Sequence, residues 1–287
     1  MIAQQIFNGL VTGMILALPA LALTIVFGIL KFPNFAIGAS LTMGAYLTWI
    51  FNALFGLPMV TAALLAILGL GLVGIAGDVL VYRHLRDRNS ITLLVVSMGV
   101  SLVLENICRF AFGNDARNFD VAVARPIRWH GLRVNHEQLI TGVAVIVSLA
   151  ALYVLLQHTR IGRAMRAVSD NPALAGARGI ERTTIVRVTW FVAGIITALA
   201  GVLIGLDRAI DPQLGWSYQI SIFAAAILGG LGSVFGAVIG ALMIGVIEEM
   251  ATLMLPTTYR QAVAFCAIVA VLLIRPHGLL GRAAIYK

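Results

Sequence analysis

Charge is scarce in this chain: only 11% of its 287 residues are Asp, Glu, Lys or Arg, against 60% hydrophobic residues. A soluble domain of that balance has too little polar surface to show to water, whereas a bundle of membrane helices needs apolar residues on its inner and outer faces alike. Acidic residues are the scarcer sign, 12 against 20 basic, for a net charge of +8. The basic residues gather in a few loops, the bias of cytoplasmic loops in membrane proteins, and no nucleic-acid role is expected of them. Cysteine is nearly absent. Cys108 and Cys266 stand far apart in apolar surroundings and form neither a redox nor a metal-ligand spacing. The five histidines, His84, His130, His136, His158 and His277, fall in loops or at span ends without an HExxH pattern. No nucleophile stands with a base and no GxxxxGK[ST] phosphate loop occurs, so neither catalysis, nor a metal, nor a cofactor, nor ATP as this chain's own ligand is expected. Long hydrophilic blocks are missing too, which leaves a single membrane domain over residues 1–287. No basic segment precedes the first apolar run, which is too long for a signal peptide and is expected to stay as a membrane helix.

What is present is a series of apolar runs of about 20 residues, the length that crosses a bilayer as helix. They cover residues 6–30, 35–55, 59–77, 91–113, 139–156 and 188–206. The basic loop YRHLRDRNS, residues 82–90, is expected on the cytoplasmic side, and the polar stretch 114–137, whose charges nearly cancel, on the other. Within that stretch, apolar residues flank His130-Gly131 as in a small hairpin. From 220 to 247 the chain is apolar but cut by Gly229, Gly230 and Gly232, leaving a first piece short for a span and a second that reaches Glu248 and Glu249. A last run, 262–274, ends in Arg275, Pro276 and His277, and with Arg282 and Lys287 marks a cytoplasmic C-terminus. The expected fold is an all-α polytopic membrane bundle. It has nine spans with the N-terminus outside if every piece crosses, and eight if the piece before Gly229 is re-entrant.

Two further patterns stand out. Small residues line one side of FAIGASLTMGAY (Gly38, Ala39, Gly44) and of GSVFGAVIGA (Gly236, Ala237, Gly240), rows that let helix backbones approach closely in lipid, and Gly229, Gly230 and Gly232 are expected to join that packing. Each follows a break, Pro33-Asn34 or Gly229-Gly230, as though one motif served both halves, a plan shared by transporters built on internal repeats. Ionisable residues inside the runs are few: Glu105 and Arg109, spaced to pair on one helix, and Glu248 with Glu249 near a helix end. An acid placed in a span points into the bundle, which makes Glu105 a candidate for a polar pathway.

The segment GRAMRAVSDNPALAGARGIERTTIVR, residues 162–187, is basic, broken by Pro172 and rich in alanine, and cannot lie in a bilayer. RAMRAV favours helix, Asn171 suits the cap of a second helix with Pro172 at its first position, and Gly179 suits its C-terminal end. A short helix is therefore expected between two spans. Its small face, ringed by Arg163, Arg166 and Arg178, fits a groove on another protein, although composition alone favours a helix lying on anionic lipid.

Taken together, FGILKFPNFAIGASLTMGAY, GRAMRAVSDNPALAGARGI and AAAILGGLGSVFGAVIGALMIGVIEE resemble, in order and over essentially the whole chain, the LivH-like permeases of branched-chain amino acid ABC transporters. The resemblance implies an importer subunit of the bacterial inner membrane, working by alternating access. Its implied partners are two ATPase subunits, a second permease subunit, identical or homologous, and an extracytoplasmic solute-binding protein. It implies that the segment about 160–187 couples to the ATPase, through Gly162, Arg163, Arg166, Asp170, Pro172, Ala175, Gly179 and Ile180, and that Asn34, Phe35 and Gly38 lie beside the translocation pathway. Ile37 departs from relatives that carry a polar residue there, and related permeases carry urea, amides or aromatic acids. The rival functions are an ion-coupled secondary carrier and a channel for a small polar solute.

Overall fold

A computed structural model describes residues 2–86, 88–121, 127–129, 132–275 and 277–281. Pro276, Arg282 and Lys287, three of the C-terminal residues read above, and the His130-Gly131 turn lie outside the described residues. The chain is an all-α bundle whose eleven α-helices among the described residues are α1 (Ile2–Leu30), α2 (Ala36–Trp49), α3 (Met59–Leu80), α4 (Ser90–Phe112), α5 (His136–His158), α6 (Arg160–Asp170), α7 (Pro172–Ala177), α8 (Arg182–Asp207), α9 (Leu214–Gly229), α10 (Val234–Ala251) and α11 (Arg260–Ile274). One π-helical turn, Ile50–Leu54, extends α2. The expected hairpin is present as β1 (Ile127–Trp129) paired antiparallel with β2 (Leu132–Val134).

Among the described residues, eight helical stretches are long and apolar enough to cross a membrane. In hydrocarbon the backbone polar groups must find their partners within the segment, which these helices provide along most of their length; Pro19, inside α1, is the one position of that helix with no amide to donate. The ninth, α9, has 16 residues and settles the ambiguity left by the glycines. It begins inside the bundle, where the Gly215 amide donates to Thr42 Oγ1 (2.8 Å), and ends beside the C-terminal segment, where the Leu279 and Leu280 amides donate to the Leu228 and Gly229 carbonyls. It therefore runs through to the other end of the bundle instead of turning back. The first and last described residues lie at opposite ends: Gln4 exchanges hydrogen bonds with the Arg133 backbone, at the end that holds residues 132–135.

At the centre stand α1 and α8, the two most buried spans. Helix α1 packs antiparallel on α10, where Gly9 and Gly13 meet the Gly245 and Leu242 backbone. Helices α3, α4, α5 and α11 form the outer layer and expose leucine, valine, isoleucine and phenylalanine. Charge separates by end. Lys31, Arg83, Arg88, Arg160, Arg163, Arg178 and Arg182 are exposed at the end carrying α6 and α7, against Asp170 and Glu181.

The candidate coupling surface and translocation site

Helices α6 and α7 are held by local chemistry that the sequence specifies. Thr159 Oγ1 accepts from the Gly162 amide (3.0 Å) and so caps α6, which begins at Arg160, three residues before the RAMRAV stretch. Gly162 lies against the Leu155 and Leu156 carbonyls, so α6 folds back tightly on the end of α5. Met165 and Val168 point into the core, while Arg163 and Asp170 are exposed. The Arg166 guanidinium donates to the Leu156 carbonyl and to Gln157 Oε1 (3.0 Å), satisfying one carbonyl in the last turn of α5. Ser169 Oγ donates to the Gly28 carbonyl (2.8 Å) and ties α6 to the end of α1. Asn171 Oδ1 then accepts from the Leu174 amide (3.0 Å), with Pro172 opening α7. Gly179, at φ +80°, takes the left-handed turn that closes it, and the Ile180 amide returns to the Ala175 carbonyl (3.0 Å).

The outward face of α7 differs from the expected one. Ala175 is only 4% exposed and packs inward, so it supports the helix and is not part of the surface a partner would meet. Pro172, Ala173, Leu174, Gly176 and Ala177 are the exposed residues, and Leu174 stands out at 60% exposure.

The second candidate site is the break between α1 and α2. Lys31 takes a positive φ of 58°, unusual for a side chain with a Cβ, and redirects the chain inward. Asn34 is buried, and its Oδ1 accepts from the Ala36 amide (3.0 Å) and from the Tyr82 hydroxyl (3.4 Å). Burial raises the Tyr82 pKa, so its phenol stays a neutral donor. The Phe35 amide donates to Ser97 Oγ on α4, and the Phe35 ring lies 4.5 Å from that of Phe223 on α9. The Gly38 amide donates to Gln219 Oε1 (3.0 Å), and Gly38 and Gly215 lie so close that a Cβ on either would overlap the other's carbonyl. Gln219, Gly215, Thr42 and Ser97 are residues the sequence reading missed. A lone amide inside the apolar 214–229 run was the available signal for Gln219.

Beside this break lies a cavity of about 550 Å³ between α3 and α4, floored by α2 and α8. Asn34, Ile37, Ser40, Tyr82, Trp190 and Thr197 are among its lining residues. Glu105 is not. Its carboxylate is bound by Arg109 at 2.8 Å, the pairing the spacing predicts. Glu248 and Glu249 are both buried, and Glu249 Oε1 accepts from Arg260 (2.7 Å) and Thr12 Oγ1 (3.4 Å), joining α1, α10 and α11.

The glycines divide by role. Gly44 packs on Ala198 of α8, and Gly236 and Gly240 pack on Gly229 and Ala225, closing the α9–α10 hairpin. Gly230, at φ +102°, turns that hairpin and touches Gly278 and Gly281. Gly232 has no neighbour near its absent side chain, so its place is the turn, at φ +92°, and not helix packing.

These features define a multi-pass helical membrane protein with a soluble helical protrusion at its basic end. The chain belongs to the family described as branched-chain amino acid transport system / permease component, whose model matches residues 5–272. It is 31% identical to the high-affinity branched-chain amino acid transport permease LivH of Escherichia coli K12, over 99% of this chain and 97% of that protein. It is 30% identical to BraD of Pseudomonas aeruginosa, with the same coverage. Among solved structures, a PsaBC complex from Streptococcus pneumoniae matches with a TM-score of 0.52 at 13% identity, covering 96% of this chain and 97% of that one, a likeness of fold.

Proposed function

We propose that this chain is the membrane-spanning subunit of an importer of the bacterial inner membrane that carries branched-chain amino acids, the solutes named for its relatives LivH and BraD. Two ATPase subunits dock on α6 and α7, a second permease subunit completes the membrane part, and a binding protein delivers solute at the end formed by residues 114–137. The observation that carries this reading is the α6–α7 unit. It is capped at both helix starts, seated on α1 and α5, and turns an exposed leucine away from the bundle. Such rigidity suits force transmission. When the ATPase dimer closes, displacement of α7 passes through the Ser169–Gly28 bond to α1 and through the Gly162 contact to α5, which rocks the bundle between its two openings. Asn34, Phe35 and Gly38 border the route of the solute, beside the cavity.

The test is co-purification with a tag on this chain, comparing Leu174→Glu with Ala175→Glu. The first places a charge on the exposed face and leaves the fold intact, so ATPase subunits should be lost from a stable permease. The second buries a charge and should lower the yield of folded chain itself. Retention of the ATPase by a stable Leu174→Glu protein, with normal stimulation by loaded binding protein, would leave α7 as a membrane-surface helix.

A further inference from the structure

Helix α4 carries a polar row that continues from the α1–α2 break. Ser97, which accepts from the Phe35 amide, is followed at intervals of four residues by Ser101, Glu105 and Arg109, so the four lie along one side of the helix. The first two are buried against the bundle; the row then emerges at its surface, with the Glu105 side chain 16% and the Arg109 side chain 36% exposed. Asn106 is exposed beside them, its Nδ2 donating to the Leu102 carbonyl (2.7 Å). Arg109 Nε is buried without a hydrogen-bond partner. Around this group α4 exposes Leu102, Val103, Ile107 and Phe110.

The group lies inside the span. Glu105 stands seven residues before the end of α4, about 10 Å at ~1.5 Å per residue. Charged and amide side chains at such a depth face the bundle interior, another subunit or water, and not acyl chains. Glu105 is largely covered within the chain, but Asn106 and part of the Arg109 side chain remain on the outer face of α4 among the described residues, so what they meet there belongs to the assembled protein.

We propose that Glu105, Asn106 and Arg109 form a recognition site for the zwitterionic end of an amino acid, on a water-filled route between α4 and a second permease subunit. This rests on the permease reading given above and adds the residues that read the solute's charges. The Glu105–Arg109 pair presents a carboxylate and a guanidinium 2.8 Å apart on one surface. A zwitterion complements both: its carboxylate takes up the planar donor fork of Arg109, and its ammonium takes up the Glu105 carboxylate with the Asn106 carbonyl oxygen alongside. An uncharged amide or urea matches neither charge. The aliphatic part of the solute lies on the leucine and valine surface of α4, whose Val100 and Val103 also line the cavity beside Asn34.

The experiment uses the whole transporter with its ATPase and binding-protein partners. In a Cys108→Ser, Cys266→Ser background, Asn106→Cys should react with a membrane-impermeant cationic methanethiosulfonate, leucine during turnover should slow that reaction, and the modified protein should lose at least tenfold in leucine uptake. Val143→Cys, exposed on α5, is the lipid-facing control and should not react. The exchanged pair, Glu105→Arg with Arg109→Glu, keeps an ion pair on the helix and should assemble in normal amounts, yet take up leucine at least tenfold more slowly. No labelling at position 106 would mean that the face is sealed by lipid or by direct contact with the second subunit. Full uptake by the exchanged pair would reduce Glu105 and Arg109 to a structural bridge. Either result overturns the inference while ATPase subunits still co-purify; loss of the ATPase from the unaltered chain would instead remove the permease reading beneath it.

Discussion

At the scale of single residues, the break before α2 makes the sharpest demands. Gly38 carries its amide to Gln219 and its Cα against Gly215, and an added methyl would stand 2.6 Å from the Gly215 carbonyl oxygen. Because both contacts are with a helix that cannot retreat cheaply, Gly38→Ala should destabilise by about 1–3 kcal/mol, as overpacking of a closed core does. Gly176→Ala, in open space within α7, should be neutral or stabilise by up to about 1 kcal/mol. Unfolding of the two variants in detergent, followed by circular dichroism, checks the contrast; equal midpoints would mean that the α2–α9 crossing is slack. Asn34 gives a second comparison. Asn34→Leu leaves the Ala36 amide and the Tyr82 hydroxyl unanswered and should cost about 1–3 kcal/mol, whereas Asn34→Asp keeps the acceptor oxygen and should cost less by the same measurement. The motif directs attention to Asn34, Phe35 and Gly38, but their partner Gln219 lies 181 residues beyond Gly38, and no local pattern spells out that meeting. Nor is the inward turn of Ala175 legible. A helix of six residues is too short for a hydrophobic period to show which side faces the bundle.

Elements were far more legible than their contacts. Apolar runs set most span boundaries within a few residues because a span ends where polar side chains begin, a rule of the bilayer and not of the neighbours; α8 starts six residues before its run, its first turns being polar helix. Helix α9 escaped that rule. Its start is fixed by Thr42 receiving the Gly215 amide and by Asp211 holding the Gln213 amide, so a 16-residue helix with a satisfied loop does what a longer one does elsewhere. The α9–α10 hairpin is the element most sensitive to bulk. Gly236→Leu or Gly240→Leu must part α10 from Gly229 and Ala225, and should reduce assembled transporter and uptake several-fold. Gly142→Leu on α5, where nothing lies within 4 Å, is the matched change on an open face and should leave both near normal. Transport by the two α10 variants at the level of Gly142→Leu would show that this hairpin is not packed as tightly as its glycines allow.

For the whole molecule, the eight long spans and α9 together make an odd number of crossings among the described residues, which puts the first and last of them on opposite sides, and the arginine-rich end carries α6 and α7. With the positive side inside, Arg83→Cys and Arg163→Cys should be hidden from an impermeant thiol reagent in intact cells, and Asn118→Cys should be labelled, in a background lacking Cys108 and Cys266. Labelling of position 163 from outside would invert the arrangement. The central packing of α1 on α10 also has a consequence in time. Thr12 and Glu249, which meet across that contact, are 237 residues apart, so α1 enters the membrane long before its partner exists. At roughly 5–20 residues per second of synthesis, the glycine face of α1 waits on the order of ten to fifty seconds with only lipid, or an insertion factor, against it. Chains halted before α10 should accordingly stay open to membrane proteases, and the protein's last hundred residues decide whether its first thirty survive.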